Sequence, residues 1–147
     1  MNSNLEKGPA LEKFLAGYNC AQAVLYSACS HLQWDRDTAL KISTGLGAGM
    51  ARSGQICGAV SGGILALGLK HGRGEHDEKT KTQDTYARVR AFMAAFEKKH
   101  GSVKCADLVQ CDLNTVEGQQ YFKDNDLLHG TCVHCVETAI GLLEDAL

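Results

Sequence analysis

The sequence predicts an all-α fold, a single-domain helical bundle of about five to six helices around a buried central helix rich in small residues. Three observations lead there. The chain is rich in Ala and Leu, has one proline in 147 residues, and nowhere alternates β-branched with polar residues as a half-buried strand would. Apolar residues recur instead at spacings of three and four. The run from Ile56 to Leu69 carries no charge and holds Gly58, Ala59, Ser61, Gly62, Gly63 and Ala66 at close intervals. Such a run suits a helix enclosed on all sides, whose lack of bulk lets neighbouring backbones come close. It falls well short of the roughly 20 residues that a bilayer requires, so a core helix is expected and not a membrane anchor.

Each element has a local reason. Pro9 suits the first turn of a helix over 9–16, with Leu11, Phe14 and Leu15 as an apolar stripe. Asn19 and Gln22 form a capping-box pattern that starts a second helix at Cys20. Its buried face is Ala21, Val24, Leu25, Ala28 and Leu32, and Cys29 lies near its far end. Asp35 or Asp37 caps a short helix over 38–44. The segment GLGAGMARSG, with four glycines, is expected to adopt unusual backbone angles or to pass close to something. Cys57 stands at the entrance of the central helix, which Lys70, His71 and Gly72 terminate. After a polar connector, Asp77 caps a long helix to about Lys99, with Tyr86, Val89, Phe92, Met93 and Phe96 turned inward and Gly101 closing it. Ser102 caps a short helix with Cys105 in its first turn, Leu108 and Val109 inward, and Cys111 just beyond. Residues 112–130 read as a polar loop with one short helix. Thr131 caps a last helix that opens with Cys132 and buries Val133, Val136, Ile140, Leu143 and Leu147. No repeat, low-complexity tract or domain break interrupts residues 1–147.

Composition narrows the function. A net charge of -2 and a pI near 6.3 leave no footprint for nucleic acid or an anionic membrane. The opening MNSNLEKG is polar, with no apolar signal core, so a cytoplasmic protein is expected, where thiols stay reduced. A chain of this size buries a core without cross-links, so seven cysteines point to ligands or reactive groups more than to bridges. The glycine-rich segment has no Walker lysine and follows no strand, which argues against phosphate binding. Ser61 lacks the GxSxG frame of a hydrolase nucleophile, and His71 and His76 read as solvated residues of a connector.

Cys20, Cys57, Cys105 and Cys132 each fall at the start of a separate expected helix. Free amides and the helix dipole favour a thiolate there, by about 0.3–1 kcal/mol at exposed positions, and the thiolate is the form that binds metals and attacks disulfides. A buried cysteine also serves simply as a small hydrophobe, and that reading stands beside the functional one.

The order of motifs is distinctive: Tyr18-Asn19-Cys20-Ala21, then Cys57-Gly58-Ala59-Val60-Ser61-Gly62, then Gly101-Ser102-Val103-Lys104-Cys105, then a cysteine ahead of the C-terminal helix. Over about residues 11–147 the chain resembles the C_GCAxxG_C_C family of small redox-active proteins. The resemblance implies a helical domain with four characteristic cysteines, suspected of carrying a prosthetic group such as an iron-sulfur cluster and often linked with oxidoreductase or transport functions. It carries over to Cys20, Cys57 and Cys105, and for the fourth to Cys132, with Cys135 a close rival.

Two other chemistries compete. Cys132-Val133-His134-Cys135 is a CxxC at a helix start, in which Cys132 would attack a disulfide and Cys135 resolve it, although the strand that precedes such a motif in thioredoxin-like folds is not visible. Four cysteines could instead close a structural zinc site, yet only the Cys132/Cys135 pair has the tight spacing such sites use. A non-catalytic helical domain, with zinc or plain buried thiols and a homodimer paired through the small-residue helix, completes the alternatives. Glycine-rich approach and amide donors to sulfur fit a cluster best, because hydrogen bonds to sulfur tune its potential.

Overall fold

In the computed structural model, which describes residues 5–147, the chain runs as α1 (Lys7–Leu15), α2 (Cys20–Leu32), α3 (Arg36–Ser43), the single turn α4 (Gly47–Met50), α5 (Gly58–His71), α6 (Thr80–His100), α7 (Cys105–Val109), α8 (Val116–Asp124) and α9 (Val133–Glu144). Residues 1–4 of the polar opening stretch lie outside the described residues. Helices α1, α2, α3, α5, α6 and α9 make the bundle, and residues of α4, α7 and α8 line a cavity beside it. An isolated antiparallel bridge between Ile56 and Lys104 is the sole β pairing among the described residues. No helix among them is long and apolar enough to cross a membrane.

Helix α5 packs against α2, α6 and α9, and its glycines are what let it do so. A Cβ on Gly62 would stand 2.5 Å from the Ala21 carbonyl oxygen, and one on Gly63 would collide with the Phe92 ring. The glycines therefore cost helix propensity, about 1 kcal/mol each relative to Ala, and gain a backbone-distance contact with α2 and a seat for the Phe92 ring of α6. Val60, Ala66 and Leu67 of α5, Val24 and Leu25 of α2, Phe96 of α6 and Val136, Ile140 and Leu143 of α9 are fully buried around them.

Capping follows the sequence in part. The Asn19 side chain accepts from the Gln22 N–H, and the Gln22 side chain accepts from the Asn19 N–H, closing the box that starts α2. Asp35, and not Asp37, caps α3 through the Thr38 N–H. Asp77 does not cap α6: its carboxylate accepts the Gly74 N–H inside the connector, and the helix begins later, at Thr80. Tyr86 is 55% exposed, because Thr85 is the residue that turns inward there, donating to the His71 carbonyl. Leu15 is likewise exposed, whereas Phe14 holds the core face of α1. Ser102 accepts the Lys104 N–H in a turn ahead of α7 and makes no cap.

The largest departure from regular structure lies in the glycine-rich segment. Ala48, Gly49, Met50, Ala51 and Arg52 all have positive φ, of 54°, 66°, 68°, 54° and 70°. Left-handed backbone costs a residue with a Cβ on the order of 1–2 kcal/mol, so four of these five are strained. Hydrogen bonds hold the turn in place, from Ala51 N–H to the Gly47 carbonyl and from Gln55 N–H to the Gly49 carbonyl, both 2.9 Å. Ala51 is exposed and caps α4. Replacing it with glycine relieves strain that exceeds the entropy glycine adds to the unfolded chain. The expected outcome is a stabilisation of about 0.5–1 kcal/mol, read as a higher urea midpoint with unchanged m-value.

Candidate functional site

Cys20 opens α2, Cys57 is the residue that caps α5, Cys105 opens α7, Cys132 ends a π-helical turn (Leu128–Cys132) that runs directly into α9, and Cys135 lies one turn into α9. All five sulfur-bearing residues line one cavity of about 340 Å³. The fold brings Cys57 and Cys105 together by pairing the chain ahead of each: Cys57 N–H donates to the Val103 carbonyl and Cys105 N–H to the Gln55 carbonyl, both at 2.7 Å. The strained turn packs behind them. A Cβ at Gly49 would lie 2.6 Å from the Cys105 Cβ and 2.7 Å from the Gln55 nitrogen. A Cβ at Gly58 would collide with Cys20 Sγ and sit 3.2 Å from the Leu46 carbonyl oxygen. Glycine is thus required at positions 49 and 58, where backbone passes closest to Cys105 and Cys20.

The thiols also touch one another. Cys20 lies against Cys57, and Cys57 against Cys135, near enough to shift one another's protonation, so three of the sulfurs form a row. Amide donors reach the same row, from Ala48 and Ala21 to Cys20 and from Ala59 to Cys57. These are the backbone donors that the glycine-rich approach predicts, but they do not decide the protonation state. The adjoining Cys57 thiol, with burial behind it, raises Cys20 well above its ordinary value. The Cys135 thiol leads in pushing Cys57 up to about 12, against the opposite pull of Cys20. Burial pushes Cys105 up to about 11 and Cys132 to about 12, helped by neighbouring sulfurs. The expectation that helix starts would favour thiolates is therefore overturned, since crowding and burial outweigh the amides.

Cys132 departs furthest from its expected setting. Its N–H donates 2.9 Å to the Leu127 carbonyl, and Thr131 makes no cap, so the residue stands inside a continuous helical run and not at an open start. The dipole argument for Cys132 as an attacking thiolate fails on that geometry. Cys29 is 1% exposed in the core and donates its S–H to the Leu25 carbonyl, away from the cavity. Cys111, half-buried after α7, lies near Cys105 and Cys132 without lining the cavity. His134 is exposed beside Glu137, and His71 holds the Ala146 carbonyl. Among the described residues, no three of His, Cys, Asp and Glu converge on a point where one metal ion could sit.

Thiol reactivity follows from these values. Against an ordinary thiol at 9.0, values of about 11 to 12 mean roughly a hundredfold or more fewer thiolates at pH 8. In metal-stripped, reduced protein, Cys105 is expected to react with iodoacetamide about a hundred times more slowly than a free thiol, and Cys57 and Cys132 about a thousand times more slowly. Their rates rise about tenfold per pH unit until pH 11 is passed, as mass spectrometry of peptides labelled at several pH values would record.

A helical bundle whose end holds a cavity ringed by cysteines from separate elements defines a class of small thiol-pocket proteins. The chain belongs to the C_GCAxxG_C_C family, described as "Putative redox-active protein (C_GCAxxG_C_C)", which matches residues 18–146. Neither the curated proteins nor the solved structures yield a match.

Proposed function

We propose that the cavity is a redox centre in which Cys20, Cys57, Cys105 and Cys132 hold an iron-sulfur cluster, serving electron transfer with an oxidoreductase partner. The supporting observation is that cysteines far apart in the sequence line a single cavity. The donor set suits a polynuclear group better than a single ion. Cluster thiolates bind different irons and need not converge on one point, whereas a zinc site needs the convergence that is missing among the described residues. Glycine backbone against Cys20 and Cys105, with amide donors to Cys20 and Cys57, resembles the surroundings that tune cluster sulfurs. A coordinating metal also deprotonates its thiols outright, so the raised values of the protonated set do not oppose it. When bound, such a cluster accepts and donates single electrons. The chain's own residues keep water from it with Phe14, Leu108 and Val109 and orient the sulfurs from four separate segments. Cys135, beside Cys57, is the alternative fourth ligand.

The thiol-disulfide reading is weaker, because an attacking sulfur needs a thiolate near neutral pH and Cys132 is pushed to about 12. Anaerobic purification followed by iron and sulfide analysis tests the proposal. Stoichiometric iron and acid-labile sulfide with broad visible absorption support it; colourless protein with neither, even after reconstitution, contradicts it.

A further inference from the structure

We infer that the outer part of the same cavity binds a small organic anion with an apolar or aromatic body, its charged end held by Arg52 and Lys123. The inference rests on the cavity being the functional site and adds the chemical class of molecule that meets it.

Charge is the first argument. The chain has more acids than bases, 17 Asp and Glu against 15 Lys and Arg, yet no carboxylate lines this cavity while Arg52 and Lys123 do. Five other basic side chains hold carboxylates, Lys7 with Glu137, Arg36 with Glu6, Lys41 with Asp37, Lys81 with Asp77 and Arg88 with Asp84, so what sets Arg52 and Lys123 apart is that both line this acid-free cavity. Neither the Arg52 nor the Lys123 side chain has a carboxylate or hydrogen-bonding partner among the described residues. Two unpaired cations at the mouth of a cavity without acids make a local positive field on an acidic protein.

Shape is the second. The sulfurs are at the inner end, whereas Leu15 and Tyr18 at the cavity's edge are 53% and 38% exposed, with half-buried Phe122 beside them. The cavity as a whole, sulfur end included, measures about 340 Å³, within the roughly 300–1,000 Å³ of small-molecule sites. An apolar body against Tyr18 and Phe122 would leave a carboxylate or phosphate to the guanidinium fork of Arg52 and the ammonium of Lys123. The third argument is placement. Arg52 projects from the end of the strained left-handed run, at φ 70°, the same run that packs against Cys105. One conformation therefore sets both the sulfur wall and the cation.

The experiment is titration calorimetry on the full, reduced, anaerobically purified chain with 2-naphthoate, with 2-naphthamide as a neutral isostere and with inorganic phosphate. Saturable binding of one naphthoate per chain is expected, at least tenfold weaker in the double variant Arg52→Gln/Lys123→Gln, with naphthamide binding unchanged by it. The remote double variant Lys70→Gln/Lys98→Gln, which makes the same change in net charge, should bind naphthoate as the parent does. Absence of naphthoate binding, equal binding by both double variants, or phosphate binding as tightly as naphthoate would each overturn the inference. Circular dichroism melts confirm that the variants fold, since both substituted side chains are exposed. Iron and sulfide content separates this inference from the cluster reading. Loss of anion binding with metal retained counts against the anion site alone, and charge-dependent anion binding in a chain that never takes up iron counts against the cluster alone.

Discussion

Gly62→Ala is expected to lower stability by about 3 kcal/mol, read as a lower urea midpoint. The added methyl would meet the Ala21 carbonyl at 2.5 Å and the Ala21 Cα at 3.1 Å, both on the backbone of α2, which cannot rotate aside as a side chain could. The two helices would have to separate, and the fully buried Val24, Leu25, Val60 and Leu67 would lose contacts with them. Gly58→Ala, one turn earlier on the same face, meets the Cys20 sulfur first and the Ala21 nitrogen at 3.0 Å. Its expected cost is smaller, about 1–3 kcal/mol, because Cys20 can change rotamer, but that rotation breaks the contact with Cys57. The pair thus separates packing from site: both variants lower the urea midpoint, and Gly58→Ala in addition alters the cysteine chemistry of protein that remains folded. Equal stability of Gly62→Ala and the parent would show that α2 and α5 do not meet at backbone distance.

Cys57→Ala is expected to abolish iron binding, while Cys29→Ala leaves it intact. Cys57 lies between two other thiols and borders the cavity, whereas Cys29 is held in the core by the Leu25 carbonyl. Both side chains are at most 7% exposed, so both substitutions remove a buried sulfur and cost comparable packing. A difference in metal content between them therefore reports the site and not the fold. Iron retained by Cys57→Ala and lost from Cys29→Ala would reverse the assignment.

How far the sequence reaches can be judged at particular residues. The capping box at Asn19, the charge-free run of α5 and the left-handed Gly101 at φ 85° are local features, written in a few neighbouring residues, and the structure contains all three. The gathering of Cys20, Cys57, Cys105 and Cys132 was legible because each lies at or near an element end, and element ends meet at the ends of a bundle. Cys135 was visible only as a rival, since its contact with Cys57 depends on how α9 is rotated against α5, which no local pattern states. The π turn before α9 hid the true setting of Cys132, because an extra residue in a helical turn leaves no composition signal. The left-handed run was signalled by its glycines, yet Ala48, Met50, Ala51 and Arg52 share the conformation against their own preference, imposed by the pairing of Gln55 and Cys57 with Cys105 and Val103. Protonation was misjudged for a related reason. A lone thiol at a helix start gains from the dipole, but sulfurs buried beside one another oppose each other's ionisation.

The placement of the sulfurs themselves is open to one direct measurement. Metal-free, reduced protein is treated briefly with diamide, which takes two hydrogens from a thiol pair and leaves a disulfide, and the linked peptides are mapped by mass spectrometry. The row Cys20–Cys57–Cys135 predicts that Cys57 is the partner in the first bridge, joined to Cys20 or to Cys135. A first bridge between Cys132 and Cys135, or one that includes Cys29, would contradict it.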